Sequence, residues 1–272
     1  MKILDAFPPV LAMTGKPFSL DAWRAYADSV SPTLAEKCIL DAQDYDFERD
    51  VRPVLDTALA SPEKLHAAHE SFLSVTENLD SRMERALGST VDAHILLYLG
   101  LCSGAGWATE LDGHAAVLLG LEKIIELDWT DKASMEGLVY HELGHLWHFD
   151  RRRAPFFEAE SPALWQLYTE GCAMYAEQEL LSDENAFHQY DGAWLAWCRE
   201  NERALFGEYR RRVDACESCQ DFFGDWCAYL GHSDVGYYLG NRIVRKIARE
   251  SGREAMLEAG KAEIYETLRA LG

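Results

Sequence analysis

Apolar and polar positions recur with a helical period through the first third of the chain. Three stretches open with helix-start chemistry. Ser19 precedes LDAWRAYADSV, Ser31-Pro32 opens TLAEKCILDAQDY, and Ser61-Pro62-Glu63 opens a long run that reaches Leu87-Gly88. A hydroxyl N-cap, proline at the first helical position and an early acid all complement the free N–H groups of a first turn. Gly88 is the expected C-cap of the long run. Residues 1–88 are therefore expected to form a helical N-terminal region.

The period changes near Thr90. His94-Ile95-Leu96-Leu97-Tyr98-Leu99 is a short apolar run ending in glycines and reads as a buried strand. A glycine-rich turn, Ser103-Gly104-Ala105-Gly106, follows, and Gly113–Leu119 reads as a second strand. From Asp131 the pattern is helical again almost to the end. One helix is expected from Ala186 to about Val213, its Trp194, Trp197, Phe206 and Tyr209 serving core or interface. No repeat, low-complexity tract or Pro/Gly-rich linker interrupts the chain. The expected fold class is α+β and mostly helical, with residues 89–272 forming one region continuous with the first.

Candidate chemistry sits in the stretch SMEGLVYHELGHLWHF, where Ser134 is the expected cap. It contains His141-Glu142-Leu143-Gly144-His145. On a helix, residues four apart share one face about one turn apart. Two imidazoles so placed reach one Zn²⁺ at roughly 2.0–2.1 Å. Glu142 lies about 100° around the helix from His141, suited to a metal-activated water as general base. Leu138, Val139, Leu146 and Trp147 flank the motif, so the helix is expected to be buried. The competing reading is a pair of hydrogen-bonded core histidines.

A catalytic zinc site needs a third protein ligand. His148 shares a face with His141 but lies about 10.5 Å along the axis at 1.5 Å per residue, too far for one straight helix to close. The continuation HExxHxxGxxH fails as well, because His148 and Arg151 occupy the positions of its glycine and third histidine. The better candidate is Glu170, in Tyr168-Thr169-Glu170-Gly171-Cys172-Ala173-Met174-Tyr175-Ala176-Glu177, a second helical stretch opened by Ser161-Pro162. Gly171 is expected to let this helix approach the first closely. A buried carboxylate there is costly unless paired or bound to metal.

With these motifs the chain resembles the gluzincin metallopeptidases, which carry HExxH on one helix and a Glu ligand on the next, often before glycine. It also resembles uncharacterised bacterial families described as predicted zinc-dependent proteases, which share a late Gly-Tyr-x-x-Gly segment, here Gly236-Tyr237-Tyr238-Leu239-Gly240. The resemblance covers roughly residues 90–250. It implies a zincin-like, thermolysin-like arrangement, with a small sheet whose edge strand lies over the HExxH helix and holds an extended substrate. Gly113–Leu119 is the candidate for that edge, and Gly104–Gly106 for a part of the same cleft. The sequence departs from the pattern at Met174, where thermolysin-like enzymes have an Asp supporting a zinc-binding His. Glu177, one turn further, is the candidate replacement.

The function implied is a zinc-dependent hydrolase acting on a peptide or small amide. His141, His145 and Glu170 hold the metal, Glu142 is the base and Tyr237 donates to the oxyanion. Tyr238 and His232 rival Tyr237 in that role. The alternatives are an inactive zincin scaffold used for binding, and hydrolysis of non-peptide amides or esters. Mn²⁺, Co²⁺ or Fe²⁺ suits the same ligands.

Composition narrows the partners. The 272 residues have a formal net charge of -20, a field that repels phosphate backbones and disfavours nucleic acid. The most apolar stretch, His94 to Ala108, is broken by glycines and too short to span a bilayer. The N-terminus lacks a signal-peptide pattern, and the seven cysteines are odd in number and mostly scattered. The expected location is the cytoplasm, with no membrane partner. Cys216-x-x-Cys219, with Cys227 and His232, is a weak second metal constellation, read as free thiols near a loop. His66 and His69 are read as surface or packing residues.

Overall fold

The computed structural model describes residues 1–187, 192–224 and 226–272. They divide into two compact units, Met1–Leu146 and Trp147–Gly272. The division between the units falls within a helix.

The first unit begins with a strand, β1 (Lys2–Asp5), and a short helix α1 (Phe7–Leu11). Helices α2 (Leu20–Val30) and α3 (Leu34–Ala42) follow, then a π-helical turn at Phe47–Val51 and α4 (Arg52–Leu59). The Ser19 hydroxyl accepts from the Ala22 amide at 3.3 Å, as a cap should. The long run from Ser61 is two helices, α5 (Pro62–Thr76) and α6 (Leu79–Leu87). Asn78, between them, adopts a left-handed φ of 59° that no helix interior contains. Gly88, at φ 72°, ends α6.

Three further strands complete one sheet: β2 (His94–Tyr98), β3 (Gly106–Leu111) and β4 (His114–Gly120). Their order is β1-β2-β4-β3, with β1, β2 and β4 parallel and β3 antiparallel to β4. β4 therefore lies inside the sheet, so the expectation that Gly113–Leu119 forms its edge is corrected: the edge next to β4 is β3. β1 and β3 were not anticipated. β1 is too short and charged to show a buried pattern. β3 carried a legible signal in Asp112-Gly113, whose φ values of 53° and 79° make a two-residue hairpin turn.

The core of the unit gathers on the sheet. Ile95, Leu96 and Leu97 of β2 and Val117, Leu118 and Leu119 of β4 are buried. Trp23 of α2 donates its indole N–H to the Leu99 carbonyl at 2.9 Å, and the Tyr26 hydroxyl accepts from the Leu99 amide at 3.1 Å. These bonds tie α2 to the end of β2. α7 (Leu121–Glu126) follows β4 directly and packs with α4 and α5.

α8 (Lys132–Arg151) carries the HExxH sequence and runs through the division. Its cap is Asp131 rather than Ser134. The Asp131 carboxylate accepts from the Ala133 amide at 2.9 Å, the Ser134 amide at 3.2 Å and the Ser134 hydroxyl at 2.6 Å. A carboxylate also complements the positive end of the helix.

The second unit is helical: α9 (Pro162–Leu181), α10 (Gly192–Ala215), α11 (Val235–Ser251), α12 (Arg253–Leu257) and α13 (Lys261–Leu271), with a 3-10 turn at Gln220–Phe222. The described part of α10 is Gly192–Ala215; Ala186 and Phe187 are not helical, and residues 188–191 of the expected helix lie outside the described residues. Buried Arg152 organises one end of the unit. It donates to the Tyr168 hydroxyl at 3.0 Å and to the Leu257 and Ala259 carbonyls at 2.8 and 3.1 Å. Both units together give an α+β protein that is mostly helical. No helix among the described residues is long and apolar enough to cross a membrane.

Candidate metal centre

α8 presents His141 and His145 one turn apart. Their rings meet edge to face, centroids 4.9 Å apart. His141 is buried and His145 half-buried. On the outer side of the same turn, Arg82 of α6 donates to the Tyr140 hydroxyl and lies 3.4 Å from Glu136, which fixes α8 against the helices of the first unit.

Glu142 faces the sheet. Its Oε2 accepts the Ala108 amide of β3 at 2.8 Å. A Cβ on Gly106 would lie 2.7 Å from Glu142 Cγ and Oε1 and 2.8 Å from Leu138 Cδ1, so any larger residue here would displace the Glu142 and Leu138 side chains. β3 is the sheet edge, and the amide given to Glu142 is one that β4 does not use.

The loop leading into β3 is held by a buried carboxylate that sequence reasoning missed. Glu122, at the start of α7, is 1% exposed. It accepts the Gly100 amide at 2.7 Å and the Cys102 amide at 2.9 Å. Burial raises its pKa above the usual carboxylate value, against the pull of those amides. Gly100 and Gly120 leave the space it fills, since a Cβ on either would come within 2.5 or 3.1 Å of its Oε1. Nothing in the sequence around Glu122 marks it, because its partners are backbone groups twenty residues away.

Glu170 stands on α9, half-buried. One ligand atom from each of His141, His145 and Glu170 lies within 4.8 Å of the others. It is the one such His/Cys/Asp/Glu group found among the described residues. Two imidazoles and a carboxylate form a donor set of catalytic zinc sites, which leaves a coordination position open. Donors of these types, grouped this closely, fit a divalent metal ion.

The remaining sequence candidates fall elsewhere. His148 is buried among Phe149, Trp165 and Tyr168 and is outside the group. Tyr237 lies in the first turn of α11, half-buried and edge-on to Phe223. Of its rivals, Tyr238 gives its hydroxyl to Glu202, and His232 stacks on Trp197 at 3.7 Å. Met174 and Glu177 are both buried on α9. Cys216 is exposed, Cys219 is buried and Cys227 lies 3.0 Å from the Phe223 carbonyl, and with His232 they form no ligand group among the described residues. His69 stacks on Phe7 and bonds Asp5 at 2.9 Å, and His66 meets Phe7 edge-on, both packing roles.

Gly171 does not serve an approach to α8 as expected. It meets α11: a Cβ on Gly171 would lie 2.4 Å from the Gly240 carbonyl, and one on Gly240 would lie 2.2 Å from the Leu167 oxygen. Gly236 is equally committed, its space taken by the Phe223 ring. The Glu-Gly and Gly-Tyr-x-x-Gly segments thus have a shared packing role. Comparison with family models, with curated proteins and with solved structures returned no match.

Proposed function

We propose that the chain is a metal-dependent hydrolase, with zinc as the metal and a peptide or small amide as the substrate. The observation that carries this reading is the convergence of His141, His145 and Glu170 beside a glutamate, Glu142, anchored to a sheet edge.

His141, His145 and Glu170 would hold the ion. Zinc in such a set supplies Lewis acidity and lowers the pKa of a water. Glu142 is the general base. Its bond to the Ala108 amide orients the carboxylate, and Oε1 takes the proton of the attacking water and returns it to the leaving amine. Tyr237 is proposed to donate to the oxyanion as charge develops. The outer edge of β3, apart from the Ala108 amide that Glu142 takes, supplies backbone groups suited to an extended peptide added as a further strand.

The test begins with elemental analysis of wild type and His145→Ala, purified without chelator. The reading expects about one zinc per chain in the wild type and loss of it in the variant. A peptide-library assay then compares wild type with Glu142→Gln, which should keep its zinc and lose roughly 10²–10⁴-fold in rate. Full activity in Glu142→Gln with zinc retained would sink the mechanism. Absence of zinc from both proteins after add-back would reduce the histidines to packing residues.

A further inference from the structure

The second unit contains a cavity of about 420 Å³ lined by residues of α10, α11 and the segment after α9. None of the candidate metal ligands lines it. Four arginines do: Arg199, Arg242, Arg245 and Arg249. Two glutamates, Glu184 and Glu202, accompany them. In a chain with 26 basic and 46 acidic residues, this local excess of guanidinium runs against the global charge.

The carboxylates are already engaged. Arg242 Nε donates to Glu202 at 2.7 Å, and Arg249 Nη2 donates to Glu184 at 2.6 Å. Glu202 also accepts the Tyr238 hydroxyl. Arg245 spends Nε on the Gln178 amide oxygen at 2.7 Å and Nη1 on two carboxylates, Glu179 at 3.2 Å and Glu184 at 3.3 Å. Its Nη2 is buried and has no hydrogen-bond acceptor, in a residue only 6% exposed. Arg199 bonds only a neutral group, the Asn185 amide oxygen, and forms no ion pair among the described residues. Two guanidinium groups at one cavity therefore retain donors for an anion. Such groups bind planar or tetrahedral oxyanions through paired N–H donors. Phe187 and Leu195 add an apolar wall, which suits a ligand with a carbon body behind its charged head.

We infer that this cavity binds a small organic anion, its phosphate or carboxylate head held by Arg199 and Arg245. The site is independent of the metal centre and of hydrolysis.

The test is calorimetric titration of the full chain at low ionic strength with phenyl phosphate, benzoate and inorganic phosphate. The inference expects one-to-one binding of phenyl phosphate or benzoate with Kd below about 1 mM, and the stronger of the two identifies the head group. Inorganic phosphate should bind more weakly than phenyl phosphate if the apolar wall contributes. Arg199→Gln should weaken binding at least tenfold. Arg24→Gln, an exposed change in the other unit, should leave it unaltered. Arg245→Lys should also weaken binding, with a melting curve to show that it folds; if it does not fold, Arg199→Gln alone decides. No binding by any probe, unchanged binding in Arg199→Gln, or an equal loss in Arg24→Gln would each overturn the inference.

Discussion

Gly171 of α9 and Gly240 of α11 touch backbone to backbone, with no room for a Cβ on either. Gly171 directly follows Glu170, so this crossing sets the turn of α9 that carries the candidate carboxylate ligand. The atom that would obstruct Gly240→Ala is a main-chain oxygen, that of Leu167, 2.2 Å from the added carbon. It cannot rotate away, so the two helices would have to separate. Denaturant unfolding should show Gly240→Ala less stable by about 1–3 kcal/mol. Gly207→Ala, inside α10 with nothing within 4 Å, should instead be neutral or gain up to about 1 kcal/mol. Equal effects from the two changes would refute the close-packing account.

Gly106→Ala should separate catalysis from stability. The added methyl meets the flexible ends of Glu142 and Leu138, which can shift at little cost to the fold. Moving Glu142 displaces the proposed base, and a misplacement of about 1 Å can cost about 100-fold in rate. The expected result is a loss of about 10–100-fold in kcat, with zinc content kept and Tm changed by a few degrees at most. Unchanged kcat would remove Glu142 from the chemistry or β3 from its positioning.

Glu122→Gln should loosen the loop that leads to β3. The amide of Gln can accept one of the two backbone N–H groups but turns a donor on the other, at a cost of about 1–3 kcal/mol. The pH dependence has a definite sign. Burial raises the folded-state pKa of Glu122, so its contribution to stability is fully present below the unfolded value of about 4.3 and declines as pH rises through the folded value. The stability deficit of Glu122→Gln should therefore be largest in acid and shrink as pH rises. Denaturation midpoints at several pH values would check this, and a deficit that grows with pH would contradict it.

Thiol reactivity should sort by burial. Cys38, Cys172 and Cys198 have no exposed surface, and burial pushes the Cys38 and Cys198 thiols up to about 12. At pH 8 a thiol of that pKa is ionised to about one part in ten thousand. Cys216 is exposed. An Ellman-type reagent on native protein should therefore label Cys216 fastest and reach the other three only with denaturant. Persistence of the fastest phase in Cys216→Ser would show that another thiol is the accessible one.

What the sequence determined by itself was local. The spacing of His141 and His145 places both on one helix face because a helical turn nearly matches four residues. Ser19, Gly88 and Pro162 marked helix ends because capping is a property of adjacent backbone groups. The α+β class followed from the change of period near residue 90. Tertiary structure decided the rest. That β3 and not β4 is the edge depends on which strand inserts beside β2, a pairing of residues far apart in sequence. That Gly171 meets Gly240, and not α8, depends on a helix crossing no periodicity records. The place of Glu170, within 4.8 Å of two imidazoles, and the roles of Glu122 and Ala108 likewise come from backbone groups brought together by the fold. Side-chain spacing along one helix is fixed by its own hydrogen bonds, whereas contacts between elements are fixed only when the whole core packs.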